Sequence, residues 1–317
     1  EDVMLVMAPL FHAAGSNGVL ASIWNAGTQL TLGAFAPAEV LDLVERYKVS
    51  MTLGVPTMLA AMAEEQHVNP RDVSSLRSIG HGGSPIATEV LRRTCTAFPG
   101  AELVEVYGAT ELSPLTTTLR NEQELLGDDR ARSCGQSIPG VEVRILDTAG
   151  KPLPSGEIGE VVVRGPNVMM GYWNKPEATA EAFIDGWFHT GDVAYMDEEG
   201  FVYIVDRIKE IIIRGGENIS CIEVEAAIYS HPAVCEAAVF GLPDERLGEI
   251  VGAAIVLHEG AEMTSRDLHD FLAEHLASFK IPAHTWFRAE PLPRIASGKI
   301  FKRQLKADYA LELAANG

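Results

Sequence analysis

The sequence predicts an α/β protein: a parallel sheet with helices, then a small β-barrel subdomain, then a small α+β C-terminal domain. Three observations carry this expectation. Residues 1 to about 115 alternate short apolar strands with stretches of helical periodicity, the pattern of a mainly parallel sheet whose ligands gather at the carboxyl ends of its strands. From about Val141 the texture changes to short strands separated by Gly/Pro turns such as Ala149-Gly150-Lys151-Pro152, which reads as a small antiparallel barrel or distorted sheet. Beyond Lys209 strands and helices mix again.

In chain order, residues 3–7 read as a strand, 18–24 as a helix and 29–32 as a short strand. Residues 37–47 place Val40, Leu41, Val44 and Tyr47 at helical spacing. Residues 51–55 form the next strand, and Pro56 opens a helix at its favoured first position. A strand at 76–79 leads into the glycine loop 80–85 and a helix over 87–98, and a strand at 103–106 leads into Tyr107-Gly108-Ala109-Thr110-Glu111. Strands follow at 141–146, 160–164 and 201–205, with a short helix at 176–183. Ser220-Cys221-Ile222-Glu223 has the form of a capping box before a helix to about Tyr229. Strands at 235–240 and 251–257 precede a helix from Thr264-Ser265, with Leu268, Phe271, Leu272, His275 and Leu276 on its apolar side.

The 317 residues, 47% of them apolar, are enough for two or three cores and argue against disorder. The longest uncharged apolar runs fall far short of the roughly 20 residues of a membrane span. With no basic leader and no membrane span, a cytoplasmic location is expected. A net charge of −19 disfavours nucleic-acid partners. Cys95, Cys134, Cys221 and Cys235 show neither CxxC spacing nor disulfide-scaffold density, and no His or Cys pair stands at zinc-ligand spacing. The start at Glu1, without Met, leads us to expect a fragment.

Several segments carry candidate chemistry. A carboxylate in the His189-Thr190-Gly191-Asp192 turn, taken as an exposed acid, suits the two hydroxyls of a ribose, and Arg207 downstream suits a phosphate. Two plain β-hairpins would explain the same spacing. Gly82 and Gly83, followed by Ser84 and Pro85, would let a flat or anionic ligand approach the backbone, although a tight structural turn explains them equally. Thr110 offers a hydroxyl to a phosphate and Glu111 a hard oxygen to Mg²⁺, against the commoner fate of a solvated loop acid. His12 in the small-residue loop 9–15 reads as a hydrogen-bonded loop residue, and Lys299 as a surface lysine on a Pro/Gly-rich loop.

Taken in order, PLFHAAG (9–15), GHGGSP (80–85), YGATELSP (107–114), GEIGEVVVRGPNVMMGYW (156–173), WFHTGD (187–192), VDRIKEIIIRGGENI (205–219) and PRIASGK (293–299) resemble the signatures of the adenylate-forming acyl-CoA synthetase family. RGGENI is similar to ligases acting on fatty or related carboxylic acids. The resemblance implies the C-terminal part of a large adenylation domain over 1–206, divided into an α/β subdomain 1–118 and a β subdomain 119–206. A mobile lid domain over 207–317 would follow, hinged at Lys209. It implies ATP, Mg²⁺ and coenzyme A, and a small-molecule carboxylic acid as substrate. Gly82, Gly83, Ser84, Pro85, Tyr107 and Gly108 would then form the adenine shelf, Thr110 would touch the α-phosphate and Glu111 would hold Mg²⁺. Asp192 would accept the ribose hydroxyls and Arg207 would contact ribose and phosphate. Lys299 would stabilise the adenylation transition state. Gly215 and Gly216 would flank the pantetheine arm of CoA, with Asn218 at a polar nucleotide contact. His12 and Gly15 would line the acyl pocket.

The family's phosphate-clamping loop, of the TSGTTGxPKG type, would lie upstream of residue 9, and no GxxxxGKS/T substitutes for it. The expectation is therefore an enzyme as the parent and a partial one here, with apolar surface left exposed where the rest would pack. An aryl-acid CoA ligase, a carrier-protein-loading adenylation domain, a luciferase-like oxidase and a non-catalytic nucleotide-binding fragment are the alternatives. No carrier segment follows Lys299, and no GxSxG elbow supports hydrolase chemistry. Acyl chain length and oligomeric state, a homo-oligomer included, are left open.

Overall fold

The computed structural model describes residues 2–316. The chain divides into two compact units, Glu1–Ile204 with Ala296–Gly298, and Val205–Ile295 with Lys299–Gly317.

Unit 1 opens with a strand–helix alternation: β1 (Val3–Val6), α1 (Ala13–Trp24), β2 (Thr28–Thr31), α2 (Pro37–Tyr47), β3 (Met51–Gly54), α3 (Pro56–Val68), β4 (Ser78–Gly82), α4 (Thr88–Ala97) and β5 (Glu102–Tyr107). Helices α2 and α3 begin on proline, whose missing N–H would be unpaired at that position anyway. β6 (Thr117–Arg120) and β7 (Gln136–Ser137) complete a seven-stranded sheet of order β2-β1-β3-β4-β5-β6-β7. Strands β1 to β5 run parallel, and β6 and β7 antiparallel. Leu5, Leu41, Val44, Leu59, Met62, Ile79, Leu91, Phe98 and Leu103 pack between sheet and helices, each at most 1% exposed. Burial of this kind stabilises by about 1.5–3 kcal/mol per side chain and explains why the helices keep to the sheet.

The alternation is read correctly from the sequence, with two shifts. Helix α1 starts at Ala13 rather than near Gly18, because His12 caps it. Strand β4 runs on to Gly82, so part of the expected glycine loop is strand.

A second sheet contains β8 (Glu142–Leu146), β9 (Gly159–Arg164), β10 (Phe183–Ile184) and β11 (Trp187–Met196) of unit 1, with α5 (Pro176–Ala182) before β10, and β12 (Val202–Arg207), whose residues from Val205 on belong to unit 2. Its order is β10-β11-β9-β8, with β12 on β11. The His-Thr-Gly-Asp segment is not a free turn. It lies inside β11, where the register against β9 slips between His189 and Val193. Asp192 is accordingly only 6% exposed, which corrects the expectation of an exposed acid. The slip follows from Gly191, whose φ of +72° lets the strand bulge.

Unit 2 holds β13 (Ile212–Arg214), β14 (Glu217–Ile219), α6 (Cys221–Tyr229), β15 (Val234–Asp244), β16 (Gly248–Leu257), α7 (Ser265–Ala273), β17 (His284–Arg288) and α8 (Lys302–Asn316). The sheet order is β14-β13-β16-β15, with β17 parallel to β16. Val224, Ile228, Leu268 and Leu272 cover one face with Val239, Val251 and Ile255. Leu305 and the stacked rings of Phe240, Trp286 and Tyr309 cover the other.

The expected capping box of α6 forms by half. Ser220 Oγ accepts from Glu223 N at 3.1 Å, but the Glu223 carboxylate accepts from Lys280 Nζ at 2.6 and 2.7 Å. The full box belongs to α7, where Thr264 and Asp267 satisfy each other's backbone N–H groups. His275 lies beyond the end of α7. The four cysteines are free thiols. No helix among the described residues is long and apolar enough to cross a membrane.

Candidate functional site

The carboxyl ends of β4 and β5 lie side by side, with Gly82 opposite Val106 in the register. A Cβ on Gly82 would stand 2.1 Å from Val106 O, and one on Gly108 1.8 Å from Pro114 O, so both glycines are required for the backbones to meet. Gly83 takes a φ of +81° and, like Pro85, is exposed, while Ser84 is half-buried. The result is a shelf of bare backbone. Gly108→Ala is expected to lower the thermal midpoint by an amount equivalent to about 1–3 kcal/mol, as overpacking does, and a melting curve checks this.

Tyr107 ends β5 and donates its Oη to Asp192 Oδ2 at 2.7 Å. Burial, with the adjacent Asp192 carboxylate, raises the Tyr107 phenol well above its ordinary range, so it stays a donor. Asp192 is held by its neighbours. Its N donates to Thr190 Oγ1 at 3.0 Å, and that hydroxyl donates to Val161 O at 2.8 Å. Glu160 fixes the same bulge by accepting from Gly191 N at 3.1 Å and pairing with His189 Nδ1 at 2.8 Å. Thr190, Glu160 and His189 were not foreseen as partners, because alternation along a strand says nothing about a bulge.

Glu111 sits in the 3-10 turn Thr110–Leu112, with Thr110 exposed beside it. Its Oε1 accepts from Tyr172 Oη at 2.9 Å, a partner given away in the sequence only by lying in the 156–173 segment. Among the described residues no cluster of three or more His, Cys, Asp or Glu could hold a metal. A lone carboxylate nevertheless fits Mg²⁺, which keeps most of its shell as water and phosphate oxygen.

His12 caps α1, its Nδ1 accepting from Ala14 N at 3.2 Å. A Cβ on Gly15 would stand 2.3 Å from Pro9 O, so close packing of α1 on the preceding loop requires glycine there. In unit 2, Gly215 and Gly216 form the turn of the β13–β14 hairpin with φ of +60° and +92°, and Asn218 is exposed on β14. Arg207 and Lys209 are exposed at and just after the end of β12, and Lys299 is half-buried in the loop before α8. Tyr107, Gly108, Asp192 and the 82–85 shelf thus gather in unit 1, while Arg207, Lys209, Gly215, Gly216, Asn218 and Lys299 belong to unit 2.

Beneath the shelf lies a cluster with no expected role. His81 and Glu122 are fully buried and pair at 2.5 Å between Nε2 and Oε2, and Glu105 stands opposite His81 in the register. Glu105 keeps part of its surface accessible yet sits deep among protein atoms. The lost hydration raises its carboxyl to about 8, against the attraction of His81 and with the help of Glu122. Burial pushes the His81 imidazole down, but its pairing with Glu122 outweighs this and raises it. Both groups bind protons more tightly when folded. Their stabilisation is full below the ordinary carboxylate value of 4.5 for Glu105 and is lost as pH climbs to about 8. Glu105→Gln, a mimic of the protonated acid, should therefore fall less in melting temperature than the parent sequence between those limits. Parallel slopes would refute the assignment.

A family model described as "AMP-binding enzyme" matches residues 1–173, and one described as "AMP-binding enzyme C-terminal domain" matches residues 223–299. The chain belongs to the adenylate-forming, AMP-binding enzyme family. It is 41% identical to a feruloyl-CoA synthase of Amycolatopsis sp over 310 residues, covering 98% of this chain and 62% of that protein. It is 40% identical to a fatty acid–acyl-carrier-protein ligase of Streptomyces coeruleorubidus over 306 residues, 96% of this chain and 58% of that protein. Among solved structures it resembles o-succinylbenzoate CoA synthetase from Bacillus subtilis in complex with its acyl-adenylate intermediate. There the TM-score is 0.83 at 37% identity, with 96% of this chain and 60% of that chain covered. The chain thus spans about three-fifths of the length of the relatives it matches.

Proposed function

We propose that this chain is part of a ligase that activates a carboxylic acid, a fatty acid in our reading, with ATP and passes it to coenzyme A. One observation supports it above the others: the Tyr107–Asp192 hydrogen bond, made across 85 residues of sequence, at the edge of the bare-backbone shelf. That arrangement suits a purine lying on peptide planes with its ribose hydroxyls donating to a carboxylate.

In this reading residues 1–206 belong to the adenylation domain, with subdomains 1–118 and 119–206, and residues 207–317 form a mobile domain hinged at Lys209. A substrate carboxylate oxygen attacks the α-phosphorus of ATP, the acyl-phosphate bond forms, and pyrophosphate leaves. Thr110 donates to the α-phosphate, Arg207 contacts the ribose and phosphate, and Lys299 offsets charge developing on the oxygens. Mg²⁺ held at Glu111 would neutralise phosphate charge. The CoA thiolate then attacks the acyl carbonyl and AMP leaves, with Gly215 and Gly216 flanking the pantetheine arm and Asn218 contacting the nucleotide. His12 and Gly15 border the acyl pocket.

The relatives favour a second reading as well, since one acts on an aryl acid and another loads a carrier protein by its name. ATP–pyrophosphate exchange by the parent enzyme over a panel of fatty and aryl acids, followed by thioester formation with CoA or a carrier protein, tests both. Exchange with no acid would sink the proposal.

A further inference from the structure

The loop that carries Lys299 is a narrow hairpin gripped at both feet. Ile295 N donates to Lys299 O at 2.9 Å, Phe301 N donates to Pro293 O at 2.7 Å, and Arg294 bridges to Ile300. At the upstream foot, Glu236 of β15 accepts from Leu292 N at 2.8 Å and from the Arg294 guanidinium at 2.5 Å. At the downstream foot, Lys302 opens α8. Its Nζ lies 2.7 Å from Glu225 Oε1 and 3.6 Å from Glu210 Oε2. Glu225 Oε1 also accepts from Val239 N at 2.7 Å, so one carboxylate joins α6, β15 and α8.

The Glu225 and Glu236 pairs are not rim pairs, whereas the Glu210 side chain is 43% exposed. The side chains of Lys302 and Glu225 are 24% and 17% exposed, and those of Arg294 and Glu236 27% and 16%. Solvent screening is weak at such burial, and removing one partner leaves the other charge uncompensated. Burial pushes the Lys302 ammonium down, but the Glu225 carboxylate and its neighbours outweigh this and raise it, so Lys302 stays charged.

Glu210 gives Lys302 a second reach, because it follows Lys209 directly. The turn around Lys209 is otherwise tied to α6. Asp206 accepts from Cys221 N at 2.5 Å, Ser220 Oγ donates to Val205 O at 2.7 Å, and Cys221 Sγ donates to Glu210 O at 3.1 Å. Lys302 thus touches both the 206–210 turn and the base of the Lys299 hairpin, whereas Glu236 touches the hairpin alone.

We propose that Glu236 and Lys302 are positioning residues for Lys299, and that Lys302 also couples the Lys299 hairpin to the turn around Lys209 through Glu210. The catalytic meaning of this device rests on the role proposed for Lys299; the coupling itself does not. A long side chain that must meet a transition state needs a rigid base, since loose support forfeits most of its electrostatic effect.

Hydrogen–deuterium exchange on the 317-residue chain tests the coupling. Lys302→Met leaves Glu225 unpaired and can unfold unit 2, so Lys302→Met with Glu225→Gln, which removes that charge, is measured beside it. The double variant should fold, and its exchange should rise about tenfold in both 206–211 and 293–303. Glu236→Gln should loosen only 291–297, Lys302→Arg should restore near-native protection at both segments, and Arg266→Ala, at an exposed pair, should change neither. The rate of Lys299 acetylation by acetic anhydride should rise with exchange in the loosened variants. Unchanged protection at 206–211 in the folded double variant would overturn the coupling, as would uniform loosening of all unit 2 peptides. A parent enzyme indifferent to Lys299 would instead overturn the catalytic role and leave the exchange result standing.

Discussion

Lys299→Ala in the parent enzyme is expected to slow adenylation by about 10²–10³-fold, the usual effect of removing one preorganised donor from a developing oxyanion. Thioester formation from supplied acyl-adenylate should be spared, because in this reading the mobile domain swings about Lys209 and withdraws Lys299 before the thiolate attacks and AMP leaves. Rapid-quench measurement of the two half-reactions separates these outcomes. Equal loss in both would mean that Lys299 supports the fold or the nucleotide generally. Lys299→Arg keeps the charge but changes its shape, and should recover only part of the rate if a compact ammonium is needed.

Asp192→Asn should weaken binding of AMP or an acyl-sulfamoyl adenosine about a hundredfold, the loss of charge-assisted character from two hydrogen bonds. The carboxylate accepts from Tyr107 Oη with Oδ2, and two oxygens with several lone pairs are needed to take the ribose hydroxyls as well. Asparagine replaces one oxygen by an NH₂ donor that faces hydroxyl donors. Calorimetric titration of this chain gives the answer. Tyr107→Phe is the companion measurement, since it removes a donor without removing the acceptor and should cost much less. An unaltered dissociation constant for Asp192→Asn would remove Asp192 from the nucleotide site.

The alternation of strands and helices over residues 1 to about 115 was legible because buried parallel strands leave short apolar runs and α2 carries Val40, Leu41 and Val44 at helical spacing. Pro37 and Pro56 announced the starts of α2 and α3 for a similar local reason. The bulge in β11 was not legible. Gly191 permits it, but only the pairing of β11 with β9 converts it into a buried Asp192. The Ser220–Glu223 spacing promised a capping box, yet Lys280, 57 residues from Glu223, captured the glutamate. A long-range charge outcompeted a local N–H.

By itself, the sequence determined the α/β order, the run of signature segments and the residue types available for nucleotide chemistry, since local propensity and spacing are written along the chain. Only the tertiary structure decided which of these groups meet. Tyr107 reached Asp192, Tyr172 reached Glu111, and Lys302 reached Glu225 and Glu210. Such pairings depend on strand register and helix packing. Those are set by the burial of Leu103, Val161, Val239 and their neighbours, a property of the whole core rather than of any window of sequence.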